Sequence, residues 1–112
     1  MPGPRKYLNK TAVVDGIKFD SKREARRYGQ LKLLARTGQI TDLRLQVPFI
    51  LAPSVKYAKA TRAKPALKYT ADFVYTADGR QVVEDAKGVK TEAYVVRKHL
   101  MMSVHGIEIQ EV

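Results

Sequence analysis

The stretch from Thr70 to Gly88 reads TADFVYTADGRQVVEDAKG, and two of its aspartates are spaced so that they would meet. Asp78-Gly79 is a strong hairpin signal, because both residue types tolerate positive φ and strand-like runs lie on either side. With those two residues as the loop, Ala77 pairs with Arg80, Thr76 with Gln81, Tyr75 with Val82 and Val74 with Val83. Two steps further, Asp72 faces Asp85. Directly opposed side chains on antiparallel strands have Cβ atoms roughly 4.5–5.5 Å apart, and like charges there destabilise the pair. At about 5 Å and an effective dielectric near 20, the repulsion is on the order of 3 kcal/mol. A divalent cation held between the two carboxylates reverses the sign. Mg²⁺ takes one or two carboxylates plus waters and phosphate oxygens, and it neutralises charge developing on a phosphodiester. Lys87 shares the strand face of Asp85 and is placed to hold an attacking water or the scissile phosphate. The same residues also fit a plainer arrangement, a solvated ladder in which Lys87 screens both acids, and a bulge would slip the register.

Glu24 is the third acid. Ser21-x-x-Glu24 matches a capping box, in which the glutamate bonds back to the cap N–H. Yet Glu24 lies four residues before Tyr28 and seven before Leu31, on the inward stripe of its helix, from which a carboxylate can reach a metal on the sheet.

The elements that must position these groups follow from pattern. TAVVDGIKF repeats the hairpin device at Asp15-Gly16, so a ribbon precedes the first helix. DSKREARRYGQLKLLARTG is that helix, capped by Asp20 or Ser21 and stopped by Gly38, with Ala25, Tyr28, Leu31 and Ala35 inward and Leu34 at the edge. ITDLRLQVPFILAP is a strand with Leu43, Leu45, Val47, Phe49 and Leu51 on one face, and Pro48 places it at an edge or a bulge. Gln46 is a candidate polar residue near the site, but its strand position is expected to point outward. SVKYAKATRAKPALK reads as a mobile basic loop over residues 53–67. After the Asp78-Gly79 hairpin, KTEAYVVRKHLMMSVHG is a second helix, capped by Thr91 and ended by Gly106, and IEIQEV is a closing strand. Tyr28, Tyr94, Leu100, Met101 and Val104 are expected in the core, and His99 and His105 have no partners at ligand spacing. The order predicts a single α/β domain over 1–112, with an N-terminal arm and ribbon over 1–19 and a mixed, mostly antiparallel sheet.

Composition narrows the partner. The 112 residues carry a formal net charge of +10 with no cysteine, which excludes disulfides and Cys-based zinc sites. Met1–Thr70 holds 16 Lys and Arg against 4 Asp and Glu, while Ala71–Val112 holds 5 against 7. A basic body favours a polyanion. No apolar run is long enough for a membrane span, MPGPRKYLNK lacks the apolar stretch expected of a signal peptide, and no basic amphipathic helix with a bulky apolar face suggests a membrane. The expected partner is DNA, and the expected location is the cytoplasm of a bacterial or phage-infected cell.

The order Glu24, then Asp72, then Asp85-Ala86-Lys87 resembles the PD-(D/E)XK nuclease superfamily, in which a helix glutamate precedes a hairpin carrying Asp and then (Asp/Glu)-x-Lys. VDGIKFDSKREARRYGQLKLL with YTADFVY and VVEDAKG looks like the small phage-encoded endonucleases of that superfamily, which are similar to very-short-patch repair and transposon-end-cleaving enzymes. The resemblance covers the whole chain and implies a restriction-endonuclease-like αβββαβ core. It implies that Asp72 and Asp85 ligate Mg²⁺ (with Mn²⁺ able to substitute), that Ala86 contributes its carbonyl, that Lys87 positions or activates the nucleophilic water, and that Glu24 binds metal directly or through water. Ala71 stands where many members have proline. Glu84 neighbours Asp85, and alternation favours Asp85 because it shares a face with Lys87.

Beside such a site, Lys22, Arg23, Arg26 and Arg27 on the first helix would grip a DNA backbone. So would Lys56, Lys59, Arg62, Lys64 and Lys68 on the basic loop, and Lys90, Thr91, Arg97 and Lys98 on the second helix. The resulting expectation is a Mg²⁺-dependent DNA endonuclease, with branched DNA such as a Holliday junction among its substrates. One site cuts one strand, so symmetric cleavage requires a homodimer. The alternative is a non-catalytic nucleic-acid-binding module whose acids are structural.

Overall fold

Turn chemistry and helix caps set the boundaries of the elements. The computed structural model describes residues 11–112, so the expected N-terminal arm over 1–10 lies outside the described residues. Asp15 and Gly16 both take positive φ, 53° and 76°, which suits a two-residue turn joining β1 (Ala12–Val14) to β2 (Ile17–Phe19). Helix α1 (Lys22–Arg36) starts at Ser21, whose Oγ accepts from the Glu24 N–H at 3.1 Å. It ends at Thr37 before Gly38, which has φ 82°. Strands β3 (Thr41–Ala52), β4 (Leu67–Ala77) and β5 (Arg80–Asp85) follow, then α2 (Glu92–His105) and the short β6 (Gln110–Glu111). Thr91 caps α2 by accepting from the Tyr94 N–H at 3.2 Å, and Gly106 closes it in the left-handed conformation.

β1 and β2 pair with each other, and the other four strands form a sheet in the order β3-β4-β5-β6. Its pairings are antiparallel except for β5 with β6, so the molecule is α/β with a mixed, mostly antiparallel sheet between two helices. β3 is an edge strand, which accommodates Pro48. Two apolar clusters cover the two faces. One joins Tyr94 and Met101 of α2 to Leu51, Tyr69, Ala71, Val74, Val83 and Ile109. The other joins Ala25, Tyr28 and Leu31 of α1 to Phe19, Ile40, Phe73 and Tyr75.

These clusters correct three expectations. Leu43 and Leu45 pack on the α1 side, whereas Val47, Phe49 and Leu51 pack on the α2 side, so β3 does not keep one face inward. β4 does the same: Tyr69 and Ala71 lie with α2, Phe73 and Tyr75 with α1. Thr70, Asp72 and Val74 therefore do not form a single alternating row. The pairs Leu45↔Phe73 and Val47↔Ala71 bracket the exchange, which places it at Gln46 and Asp72. Gln46 has φ 52°, a left-handed conformation costing a non-glycine residue about 1–2 kcal/mol, and this rotation carries β3 from one face to the other. Second, the basic loop ends sooner than expected: Leu67 and Lys68 already belong to β4, and within the loop Val55 and Lys64 bridge through two backbone hydrogen bonds of 3.2 and 2.6 Å. Third, Val104 is exposed rather than in the core.

Candidate functional site

The β4–β5 hairpin sets the site's foundation. Asp78 and Gly79 have φ 52° and 73°, the backbone of a type I′ turn, whose twist matches the flanking strands. This pins the pairs Ala77↔Arg80, Thr76↔Gln81, Tyr75↔Val82, Val74↔Val83 and Phe73↔Glu84. The next step brings Asp72 to Asp85, at the edge of the face exchange. The Ala86 N–H donates to Asp72 Oδ2 at 2.9 Å, and the Tyr69 hydroxyl donates to Asp85 Oδ2 at 2.8 Å. Asp85 is buried and Asp72 partly so. Burial, and after it the neighbouring Asp85 carboxyl, pushes the Asp72 carboxyl up to about 7, against the downward pull of the Ala86 N–H. Two acids converging in a partly desolvated place produce that shift.

Glu24 joins them from the first turn of α1. It is buried, and its carboxylate does not close a capping box; Oε2 instead accepts from Gln46 Nε2 at 3.3 Å. The same Nε2 donates to Asp72 Oδ1 at 3.2 Å. Gln46 thus points into the acidic cluster, contrary to the outward placement expected from alternation. Burial, then the charges of Asp20 and Asp85, raises the Glu24 carboxyl above its ordinary value. An amide N–H₂ sits between two carboxylates where positive charge is favoured.

Lys87 completes the group. Its Nζ lies 3.3 Å from Asp85 Oδ2 and 4.5 Å from the centroid of the Tyr94 ring. Tyr94 in turn donates to Glu111 Oε2 at 2.8 Å. Burial, and then the nearby carboxylates, pushes the Tyr69 and Tyr94 phenols well above the usual range, so both remain hydrogen-bond donors. Tyr69, Tyr94 and Gln46 are the site neighbours that pattern reading did not find. Their partners lie 16 to 26 residues away in sequence, with no local spacing signal.

Glu84 is a different kind of acid. It is 2% exposed on the α1 side, takes a two-pronged contact from Arg27 (Nε to Oε1 2.8 Å, a terminal nitrogen to Oε2 2.7 Å), and accepts from the Tyr75 hydroxyl. The facing of Asp85 toward Asp72, with Glu84 on the opposite side, agrees with strand alternation. Arg27 also donates to Gln30 at 2.9 Å, so its guanidinium is engaged within the fold.

The remaining basic residues separate by contact. Lys90 and Lys98 each bond Glu111 at 3.0 Å and, with Tyr94, hold its carboxyl down to about 2. Arg97 donates to the Lys68 carbonyl at 3.0 Å, and the Thr91 hydroxyl is occupied as a cap. Lys22, Arg23 and Arg26 are exposed on the start of α1, and Lys56, Lys59, Arg62, Lys64 and Lys68 are exposed around the far end of the β3–β4 hairpin.

Among the described residues, no three His, Cys, Asp or Glu side chains gather into a ready metal-ligand set. The donors that do converge are two carboxylates, Asp72 and Asp85, and burial followed by the neighbouring Asp85 raises the Asp72 carboxyl. Hard oxygens in that number suit Mg²⁺, which fills its remaining positions with water and substrate oxygens.

Residues 4–110 match the model of a family described as "Protein of unknown function (DUF1064)", and the chain belongs to that family. Searches of curated proteins and of solved structures return no match.

Proposed function

We propose that this protein is a Mg²⁺-dependent DNA endonuclease that hydrolyses phosphodiester bonds, with a PD-(D/E)XK-type, restriction-endonuclease-like core of α1, β3, β4, β5, α2 and β6 and selectivity for branched DNA. The observation that carries the reading is the meeting of Asp72 and Asp85 from adjacent strands, with Lys87 bonded to Asp85 and Glu24 linked to Asp72 through Gln46. A Mg²⁺ held by the Asp72 and Asp85 carboxylates and the Ala86 carbonyl would neutralise charge developing on the scissile phosphate. Tyr69 and the Ala86 N–H fix the two aspartates in place. Lys87, braced by the Tyr94 ring, offers N–H donors to a water or a phosphate oxygen on the same side. The exposed cations on α1 and on the β3–β4 hairpin supply backbone contacts.

One observation favours the second reading, a binding module without chemistry. Gln46 already satisfies Glu24 and Asp72 without a metal, as a purely structural acid cluster would require. The two readings part in an assay of supercoiled, linear and four-way-branched DNA with Mg²⁺ or Mn²⁺. The nuclease reading expects cleavage by the natural chain and a loss of at least about a hundredfold in Asp72→Ala and Lys87→Ala, with DNA binding retained. A natural chain as inert as both variants, binding DNA equally well, establishes the binding module.

A further inference from the structure

The far end of the β3–β4 hairpin carries more than charge. Beyond the Val55–Lys64 bridge the chain turns at Tyr57, whose carbonyl accepts from the Ala60 N–H at 3.0 Å, so Tyr57 occupies the first position of a tight turn. Its side chain is 65% exposed, the most exposed aromatic among the described residues. Lys56, Lys59, Arg62 and Lys64 surround it in sequence, all exposed, and residues 53–71 contain no acid. Exposure of one ring alone says little, but this ring stands amid the cations of an acid-free segment, so a partner that meets it also meets them. An aromatic ring within a positive groove is the combination that binds unpaired bases, since the cations hold the backbone while the ring stacks on a base face. A negatively charged protein surface would satisfy the cations and leave a planar ring without a matching face.

We infer that Tyr57 is a base-stacking wedge and that the hairpin tip recognises DNA at a position where a base is unstacked or unpaired, as at a branch or a gap. The inference rests on the nuclease reading only for what it adds to substrate choice. β3 and β4 lead from Ala52 and Leu67 to Gln46 and Asp72, and the Val55–Lys64 bridge ties the tip to their ends. Lys64 and Asp72 are eight residues apart and Tyr57 lies two residues beyond Val55, the bridge partner of Lys64, which at about 3.3 Å per residue sets the tip no more than about 35 Å from the acids. That span corresponds to roughly ten base pairs along a duplex. The unstacked position read by Tyr57 and the phosphate presented to Asp72 then lie on one DNA molecule, within one helical turn of each other.

The test measures equilibrium binding of the full chain in metal-free buffer, so that cleavage plays no part. Two fluorescent DNAs are compared, an intact duplex and the same duplex with a short single-stranded gap. The natural chain is expected to prefer the gapped DNA. Tyr57→Ala is expected to lose roughly tenfold on the gapped DNA and nothing on the intact duplex, with an unchanged salt slope because no charge is removed. Tyr57→Phe is expected to retain the preference, since it keeps the ring. An unchanged affinity of Tyr57→Ala for both DNAs, an equal loss on both, or a Tyr57→Phe as weak as Tyr57→Ala would overturn the inference. Because no divalent ion is present, this outcome is independent of whether the chain cleaves DNA.

Discussion

At the scale of single residues, the decisive feature is a carboxyl held where its charge is disfavoured. Asp72 sits against Asp85 and, through Gln46, against Glu24, and its carboxyl is raised to about 7. An acid whose pKa is higher when folded binds a proton that the unfolded chain has released. Its contribution to stability is therefore full at low pH and is lost as pH rises through the folded value. For Asp72 the decline spans about pH 4 to 7 and amounts to on the order of 2 kcal/mol after solvent screening at a partly exposed site. Urea unfolding in chelator between pH 4 and 8 measures it. The natural chain is expected to lose stability over that window, and Asp72→Asn is expected to flatten most of the slope. Gln46 belongs to the same scale. Its left-handed backbone stores strain at the place where its amide bridges two acids, a combination found where function constrains conformation.

Among the elements, the β4–β5 hairpin was legible because its turn chemistry is local. Asp78-Gly79 demands two positive φ values, and these fix every pair down to Phe73↔Glu84. Helix ends were legible for the same reason, through Ser21, Gly38, Thr91 and Gly106. The exchange of faces in β3 and β4 was not, because period-2 alternation assumes extended backbone throughout and a glutamine carries no mark of φ 52°. Nor was the fate of Arg27, whose partner Glu84 lies 57 residues away. Sequence pattern groups Arg27 with the α1 cations expected to face DNA, and the fold puts it against a buried acid. Removing it leaves Glu84 with only the Tyr75 hydroxyl, so Arg27→Ala is expected to cost roughly 3 kcal/mol in urea unfolding. DNA affinity measured where the variant remains folded is expected to stay within about twofold, as for a residue that reaches no phosphate. Arg26→Ala, one position away and exposed, is expected to show the reverse pattern.

For the whole molecule, charge and topology point the same way. α1 holds six Lys and Arg against one acid and the β3–β4 hairpin six against two, while Lys90 and Lys98 are occupied by Glu111. Binding to duplex DNA is expected to weaken with salt, with a log–log slope of about −4 to −6, as for some five to seven phosphates neutralised. Lys59→Ala with Arg62→Ala is expected to reduce that slope by about two. The sheet carries the acids at the junction of its two faces, between the two helices, and in the proposed nuclease the cations and the carboxylates meet one DNA. In the proposed nuclease the Asp72–Asp85 pair holds a divalent ion, and calorimetric titration of the full chain with Mn²⁺ at pH 8, where Asp72 is ionised, reads that binding without cleavage. Binding in the natural chain that is abolished by Asp72→Asn is the expected result. An undiminished heat of binding in Asp72→Asn, or none in the natural chain at millimolar Mn²⁺, would contradict it.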